Sequence, residues 1–306
     1  MCSVNVFGLL TGYLYSERNT YKYISIIRLI FEVIFYSALF TILVVFLRPE
    51  WITGKKELLE SLFPFGTRLW YITAYIFVFC MIPYLNVFIQ NCNKTAFRNL
   101  LFVLFLLFSL CTTFGLKDFF GIAMGGSCFW LIFMYLIGAY IRMYNIKKKR
   151  YSFFILLFSL ILLFLLYVAK NTLGFSIINI FYNRLLAYSS PLILFIAVIL
   201  FIYCKEITIN KAFIRKLLLM SSTSSLAVYV IHAHGLILDN IIYKLLQSKL
   251  QMNSVLFLLY GFGFVLGIFV ICIIIDCIRI KIEKISRFIV FEQKISNIID
   301  RSLNFI

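Results

Sequence analysis

Long apolar runs separated by short polar stretches dominate the chain of 306 residues. A transmembrane α-helix needs ~17 to 25 mostly apolar residues, and eight runs approach or reach that length. An additional apolar stretch at 1–15 is shorter than a spanning helix. The pattern therefore predicts an all-α, polytopic transmembrane helix bundle with about nine membrane segments. The eight longer runs cover residues 23–47, 69–88, 100–114, 127–144, 153–169, 189–203, 222–238 and 254–276.

Two stretches outside these runs have the mixed apolar and charged pattern of surface helices. Residues 50–66 contain KKELLESLF, which predicts a short amphipathic helix on the external face that ends at Pro64. Residues 277–306 alternate isoleucines with lysine, arginine and glutamate, so we expect a cytoplasmic, amphipathic and basic tail. Residues 1–276 are expected to form one membrane domain.

Composition agrees with a membrane protein, because 63% of residues are hydrophobic and only 13% are charged. The net charge of +17 would suggest nucleic acid as a partner of a soluble protein. Here lysine and arginine concentrate in alternate loops, nineteen on one side against nine on the other. The positive-inside rule then places the C-terminus in the cytoplasm, with the lipid bilayer as partner and no nucleic acid.

The eight cysteines fall in apolar spans or at cytoplasmic ends, and no CxxC pair occurs among them. This distribution argues against a disulfide framework and against a metal site. We expect the protein to use no metal.

The only two histidines, His232 and His234, lie within the apolar run 222–238. If that helix begins at Ser222, His232 lies roughly 15 Å deep, near the middle of the membrane. In a regular helix the two rings would point to nearly opposite sides, because residues two positions apart are rotated by about 200° around the helix axis. Two alternatives stay open for His232: a hydrogen bond between helices, or a role in proton handling and acyl transfer.

Arg28 and Glu32 are four residues apart in the run 23–47, so they share a face and are expected to pair. The alternative is that they bind an anionic group at the cytoplasmic mouth of the bundle. In the last run, Gly263 and Gly267 form a GxxxG pattern, which predicts close packing of two helices and not a phosphate-binding loop.

Four stretches together resemble the acyltransferase-3 family of bacterial membrane O-acyltransferases, in the branch that modifies O-antigen, capsule and exopolysaccharide sugars. They are similar to four family motifs in the right order along almost the whole chain: VNVFGLLTGYLYS near the start, LWYITAYIFVFCMIPYLN at 69–86, FWLIFMYLIGAYIRMY at 129–144 and LAVYVIHAHG at 226–235.

The resemblance implies a bundle of about ten helices, an acyl-CoA donor that enters from the cytoplasm, and a glycan acceptor. The family's first helix carries an arginine and a catalytic histidine, and the chain begins at the position of the family's second helix. Two explanations stay open, an incomplete reading of a longer enzyme or a copy without activity. His232 matches the family's recurring histidine in a late helix, and Arg18 lies in the basic cytoplasmic loop.

The sequence thus predicts an inner-membrane acyltransferase that transfers an acyl group from acyl-CoA to a hydroxyl of a cell-surface polysaccharide or its lipid-linked precursor. The expected acyl group is acetyl. The alternative is a non-acylating protein of polysaccharide assembly, a polymerase or a flippase. His232 is the expected catalytic residue. The expected substrate-binding residues are Arg18, Arg28, Glu32, Tyr75 and His234.

Overall fold

The computed structural model describes residues 2–18, 23–66, 68–115, 117–118, 120–173, 176–249, 253–285 and 292–295. The longer regular elements in these ranges are all helices. In chain order they are α1 (Ser3–Tyr15), α2 (Ile24–Leu47), α3 (Lys55–Leu62), α4 (Trp70–Gln90), α5 (Lys94–Phe114), α6 (Cys128–Met143), α7 (Arg150–Leu173), α8 (Ser176–Leu185), α9 (Pro191–Lys205), α10 (Ala212–Thr223), α11 (Ser225–His232), α12 (235–247) and α13 (Ser254–Ile285).

Five of the described helices are long and apolar enough to cross a membrane: α2, α4, α5, α7 and most of α13. The number becomes six if α10 and α11, which meet at a bend of 48°, form one span. Helices α6 and α9 are apolar but shorter. The prediction of an all-α bundle with membrane-spanning helices is confirmed, whereas the expected count of nine segments is not.

The chain divides into two compact units, and the first comprises residues 1–21 and 71–208. Its central contact is between α1 and α6, whose backbones approach closely. A Cβ on Gly138 would overlap the carbonyl of Leu9, and one on Gly12 would overlap the carbonyl of Tyr135. Only glycine permits this distance between helices.

Buried amides join the helices of the first unit. The side chain of Asn5 donates to the carbonyl of Tyr188 (2.9 Å) and accepts from the indole N–H of Trp130 (2.8 Å). Asn86 donates to the carbonyl of Tyr15 (2.7 Å) and accepts from the hydroxyl of Tyr135 (2.5 Å). These bonds satisfy polar groups that would be costly to leave unpaired in an apolar interior.

The second unit comprises residues 22–70 and 209–306. Helix α11 packs against both α2 and α13, and α3 packs back onto α2. The short helix expected within 50–66 is present as α3. The tail at 277–306 stays a prediction: α13 continues without a break across residue 276 to Ile285, and residues 286–291 and 296–306 lie outside the described ranges.

The segment around the histidines is not the regular helix that its apolar sequence predicts. Ser222 lies inside α10, where its hydroxyl donates to the carbonyl of Leu219, and it does not cap a helix. A bend at Ser224 separates α10 from α11, and α11 ends at His232. His234 has extended backbone angles (φ −60°, ψ 122°), so helical spacing does not relate the two rings.

The expected close packing at the GxxxG pattern of α13 is wrong for the described part of the chain. A Cβ built on Gly263 or Gly267 has no described neighbour within 4 Å. The close helix contact lies at Gly12 and Gly138 instead, where glycines on two helices face the partner backbone.

Candidate functional site

A small cavity of about 30 Å³ lies within the second unit. Helix α2, helix α3 with the residues that follow it, and the junction between α11 and α12 form its walls. Its polar lining consists of Ser37, Glu57, Glu60, Ser61, Arg68 and His234. A histidine, an arginine and hydroxyl groups at one cavity can act as a base, a positive charge and hydrogen-bonding groups for a substrate.

His234 is the buried titratable group of this cavity, with only 4% of its surface exposed. Its Nε2 lies 3.2 Å from the hydroxyl of Thr41, which is also buried. Its Nδ1 is buried and makes no hydrogen bond of ordinary geometry, and the backbone of Ser37 lies within bonding reach of the ring. The hydroxyl of Ser37, one helical turn before Thr41, is likewise buried without a partner. Unpaired buried polar atoms are rare in folded proteins and are more frequent at functional sites.

Arg68 brings the positive charge to the cavity. Its guanidinium pairs through two nitrogens with both carboxylate oxygens of Asp239 on α12. The hydrogen bonds to Asp239 raise the pKa of Arg68 above its ordinary value, so the group stays charged. A Cβ on Gly235 would lie 3.3 Å from Nε of Arg68. The absent side chain at Gly235 therefore lets the guanidinium lie against the turn that follows His234.

His232, the expected catalytic residue, is not part of the cavity lining. Its Nδ1 lies 2.5 Å from the carbonyl of Val228, one turn earlier in its own helix, and its ring packs edge-on against Tyr229 at 6.0 Å. The catalytic role of His232 stays a prediction, and the structure assigns the cavity position to His234.

The expected pair between Arg28 and Glu32 is wrong. Arg28 bonds to Glu292 at 3.1 Å, and Glu32 lies 3.3 Å from Arg279 on α13. The spacing of four residues would allow Arg28 and Glu32 to pair. Both bond instead to residues distant in sequence, because α13 brings the buried guanidinium of Arg279 against α2.

Arg18 and Tyr75 belong to the first unit. The guanidinium of Arg18 lies over the ring of Tyr15, 4.3 Å from its centre, and Tyr75 packs against the rings of Tyr71 and Phe79. Their expected roles in substrate binding stay predictions.

Sequence reasoning missed Ser37 in the cavity lining. It also missed Thr41 beside His234, Asp239 beside Arg68, and the acid and arginine of α13, Asp276 and Arg279. Hydroxyl residues inside apolar helices are common and bond to their own backbone, so Ser37 and Thr41 gave no distinct signal. Asp239, Asp276 and Arg279 stand out in the sequence only as charged residues at the ends of apolar runs, which does not indicate their partners. Within the described part of the chain, no group of three or more histidine, cysteine or acidic side chains is arranged to hold a metal ion.

The helices and the cavity define a multi-pass membrane protein with a histidine at a polar internal site. The family model for the acyltransferase domain of the acyltransferase-3 type matches residues 1–277. The chain therefore belongs to this family and is an acyltransferase for groups other than aminoacyl groups. No curated protein and no solved structure matches the chain.

Proposed function

We propose that this acyltransferase takes an acyl group, in the first place acetyl, from acyl-CoA and transfers it to a hydroxyl of a cell-surface polysaccharide or its lipid-linked precursor, such as O-antigen or capsule. Family membership supports acyl transfer over the polymerase and flippase alternatives. The four motifs in the O-antigen and capsule branch's order support a glycan acceptor. The uneven distribution of lysine and arginine supports insertion in the bacterial inner membrane with the C-terminus in the cytoplasm.

The observation that carries the proposal is the position of buried His234 beside a polar cavity, with the hydroxyl of Thr41 3.2 Å from its Nε2. In the tautomer with its proton on Nε2, that proton is donated to the hydroxyl of Thr41 and Nδ1 carries the lone pair. Such a neutral imidazole can remove the proton from a sugar hydroxyl as its oxygen attacks the thioester carbonyl. The imidazolium then returns that proton to the departing thiolate, so the ring ends unchanged.

Arg68 fits a second requirement of acyl transfer. Attack on a thioester builds negative charge on the carbonyl oxygen, and a fixed positive group near that oxygen lowers the barrier. Asp239 holds the Arg68 guanidinium in place by two hydrogen bonds, so little reorganisation is needed during the reaction. The cavity thus combines a base and an electrostatic stabiliser. Because α3, one of its walls, is expected on the external face, the thioester of the cytoplasmic donor has to reach the cavity through the helix bundle.

The experiment supplies labelled acetyl-CoA to inner-membrane vesicles that contain the full chain and a lipid-linked glycan. The proposal predicts label on the glycan that mild alkali releases as acetate, because an O-acetyl ester is labile to base. Vesicles without the chain are the control. Label that stays on the glycan after alkali, or no label above the control although the protein is folded in the membrane, would refute the proposed reaction.

A further inference from the structure

Glu60 lines the cavity beside His234, which we call the His234 cavity, and the acyl-transfer chemistry above gives it no role. It belongs to α3, and 42% of its side chain is exposed, so it lies at the mouth of the cavity. In the described part of the chain its ion pair is with Lys56, whose Nζ is 3.9 Å from Oε1 of Glu60 and whose side chain is 91% exposed. An exposed pair at this distance constrains a carboxylate only weakly. Glu60 can therefore bind a molecule that enters the mouth.

Negative charge exceeds positive charge at this mouth. Of the described lining residues three are charged, namely Glu57, Glu60 and Arg68. The guanidinium of Arg68 is paired with both carboxylate oxygens of Asp239, so its charge is already matched. Oε2 of Glu57 accepts from the backbone N–H (2.8 Å) and the hydroxyl (2.7 Å) of Thr53, and these neutral donors fix the carboxylate without cancelling its charge. The lining thus keeps an excess of negative charge.

Ser37 gives a second, independent indication that the cavity binds a polar ligand. It lines the cavity from α2, it is fully buried, and its hydroxyl has no hydrogen-bond partner in the described structure. A buried hydroxyl without a partner costs free energy, which a hydroxyl group of a ligand can recover. A cavity of about 30 Å³ has room for such a group but not for a sugar ring. The ring of a bound acceptor therefore lies at the mouth, beside Glu60.

We propose that Glu60 determines which class of acceptor sugar the enzyme uses. Its carboxylate accepts hydrogen bonds from hydroxyl or ammonium groups that neighbour the hydroxyl to be acylated. The excess negative charge of the mouth repels a sugar that carries a carboxylate. The favoured acceptor is therefore a neutral or amino sugar and not a uronic acid. This inference rests on the proposed function above and adds the class of acceptor to it.

Glu60 binds the acceptor and takes no part in the transfer of protons, for which His234 is the base. Removal of its charge should therefore raise the KM of a neutral acceptor and leave kcat nearly unchanged. A purely structural role of Glu60 in α3 would instead lower the thermal midpoint and affect neutral and acidic acceptors alike. The ratio of the two acceptors is thus the informative measurement.

The first experiment uses inner-membrane vesicles that contain the full chain, labelled acetyl-CoA and pairs of lipid-linked glycans. Each pair ends in glucose, galactose or mannose, or in the uronic acid of the same sugar, so its members differ by one carboxylate. For the pair that is acylated fastest, wild-type kcat/KM should be about 10-fold higher for the neutral member, because like charges near a protein surface repel strongly enough for that factor. E60Q should lose most of this preference, and E60K should reverse it.

E50Q is the matched control. Glu50 precedes α3, its side chain is 58% exposed, and its partner is Arg48, outside the cavity lining. E50Q should keep the wild-type ratio, and the thermal midpoint of E60Q should stay near that of the wild type because the pair with Lys56 is exposed. An E60Q ratio equal to the wild-type ratio, or an equal change in E50Q, would overturn the role of Glu60 while leaving the acyl-transfer reaction in place.

A binding measurement separates this inference from the proposed reaction. The purified full chain in nanodiscs is titrated with the same glycans without acetyl-CoA, so that no transfer occurs. Tighter binding of the neutral glycan by the wild type, weakened in E60Q and kept in E50Q, supports the role of Glu60. If the vesicles then show no transfer, the proposed reaction alone fails. Equal binding of neutral and acidic glycans by the wild type, or binding of none of them, overturns the role of Glu60.

Discussion

The hydroxyl of Thr41 lies 3.2 Å from Nε2 of His234, and the two side chains are 1% and 4% exposed. Thr41 belongs to α2, whereas His234 lies in the turn that follows α11. This contact orients the imidazole from one side, and the backbone of Ser37 lies within bonding reach of the ring. A histidine held by one nitrogen can use the other as a base.

Replacement of Thr41 by valine should lower kcat about 10-fold with little change in KM. Valine keeps the shape but removes the hydroxyl, so the ring loses its orientation while the base itself remains; a complete base contributes ~100- to 10,000-fold. T41S restores a hydroxyl and should recover most of the rate. Equal rates for T41V and wild type, measured at matched protein levels, would show that Thr41 does not position His234.

Replacement of Arg68 by glutamine should lower the acyl-transfer rate about 100-fold, the typical loss of one stabilising group for a developing oxyanion. The ion pair with Asp239 is partly exposed, 44% and 39% for the two side chains, so its loss should change the free energy of unfolding by no more than about 1 kcal/mol. Rate and thermal midpoint are measured on the same preparation. An unchanged rate, or a rate loss fully explained by unfolding, would contradict the assigned role of Arg68.

Substitution of Gly138 by alanine should destabilise the first unit by about 1–3 kcal/mol, because the added methyl group meets the backbone of Leu9, which cannot move aside as a flexible side chain would. The matched control is G263A on α13, where a Cβ meets nothing within 4 Å. There alanine should be neutral or stabilise by up to about 1 kcal/mol through helix propensity. Similar thermal midpoints for G138A and G263A would disprove the close contact between α1 and α6.

Removal of the hydroxyl of Tyr135 should cost about 1 kcal/mol in the free energy of unfolding, the usual net value of a buried hydrogen bond. The hydroxyl donates to Asn86 at 2.5 Å, and Tyr135 is fully buried. Tyr84, which is 56% exposed on the same helix as Asn86, provides the control. Y135F should have a lower thermal midpoint than Y84F, and the reverse order would argue against this bond.

Apolar run length was enough to predict most helices, because a helix that faces lipid must satisfy its own backbone. The runs 23–47 and 153–169 correspond to α2 and α7 within a few residues. The prediction of one regular helix over 222–238 was wrong, since apolar residues fit a bent helix or a turn as well as a straight span. The close helix packing predicted from the GxxxG pattern of α13 was wrong for a similar reason. Small residues permit two helices to pack closely, but they do not determine that a second helix lies there.

The candidate site was predictable only in part. His234 was visible as a rare titratable group in an apolar run, but its position at a turn depends on where α11 ends. Arg28 and Glu32 illustrate the limit of local spacing, because each lies beside a partner distant in sequence, Arg28 beside Glu292 and Glu32 beside Arg279. Contacts between distant helices decided which polar residue has which partner.

The most direct test of the account compares H234Q with H232Q in the vesicle assay with labelled acetyl-CoA. Both variants keep a side chain that can form hydrogen bonds, and equal protein levels in the membrane are confirmed first. H234Q is expected to lose acyl transfer by ~100-fold or more, the usual contribution of a general base, while H232Q retains most of it. Full activity of H234Q together with loss in H232Q would contradict the assignment of the reaction to the His234 cavity.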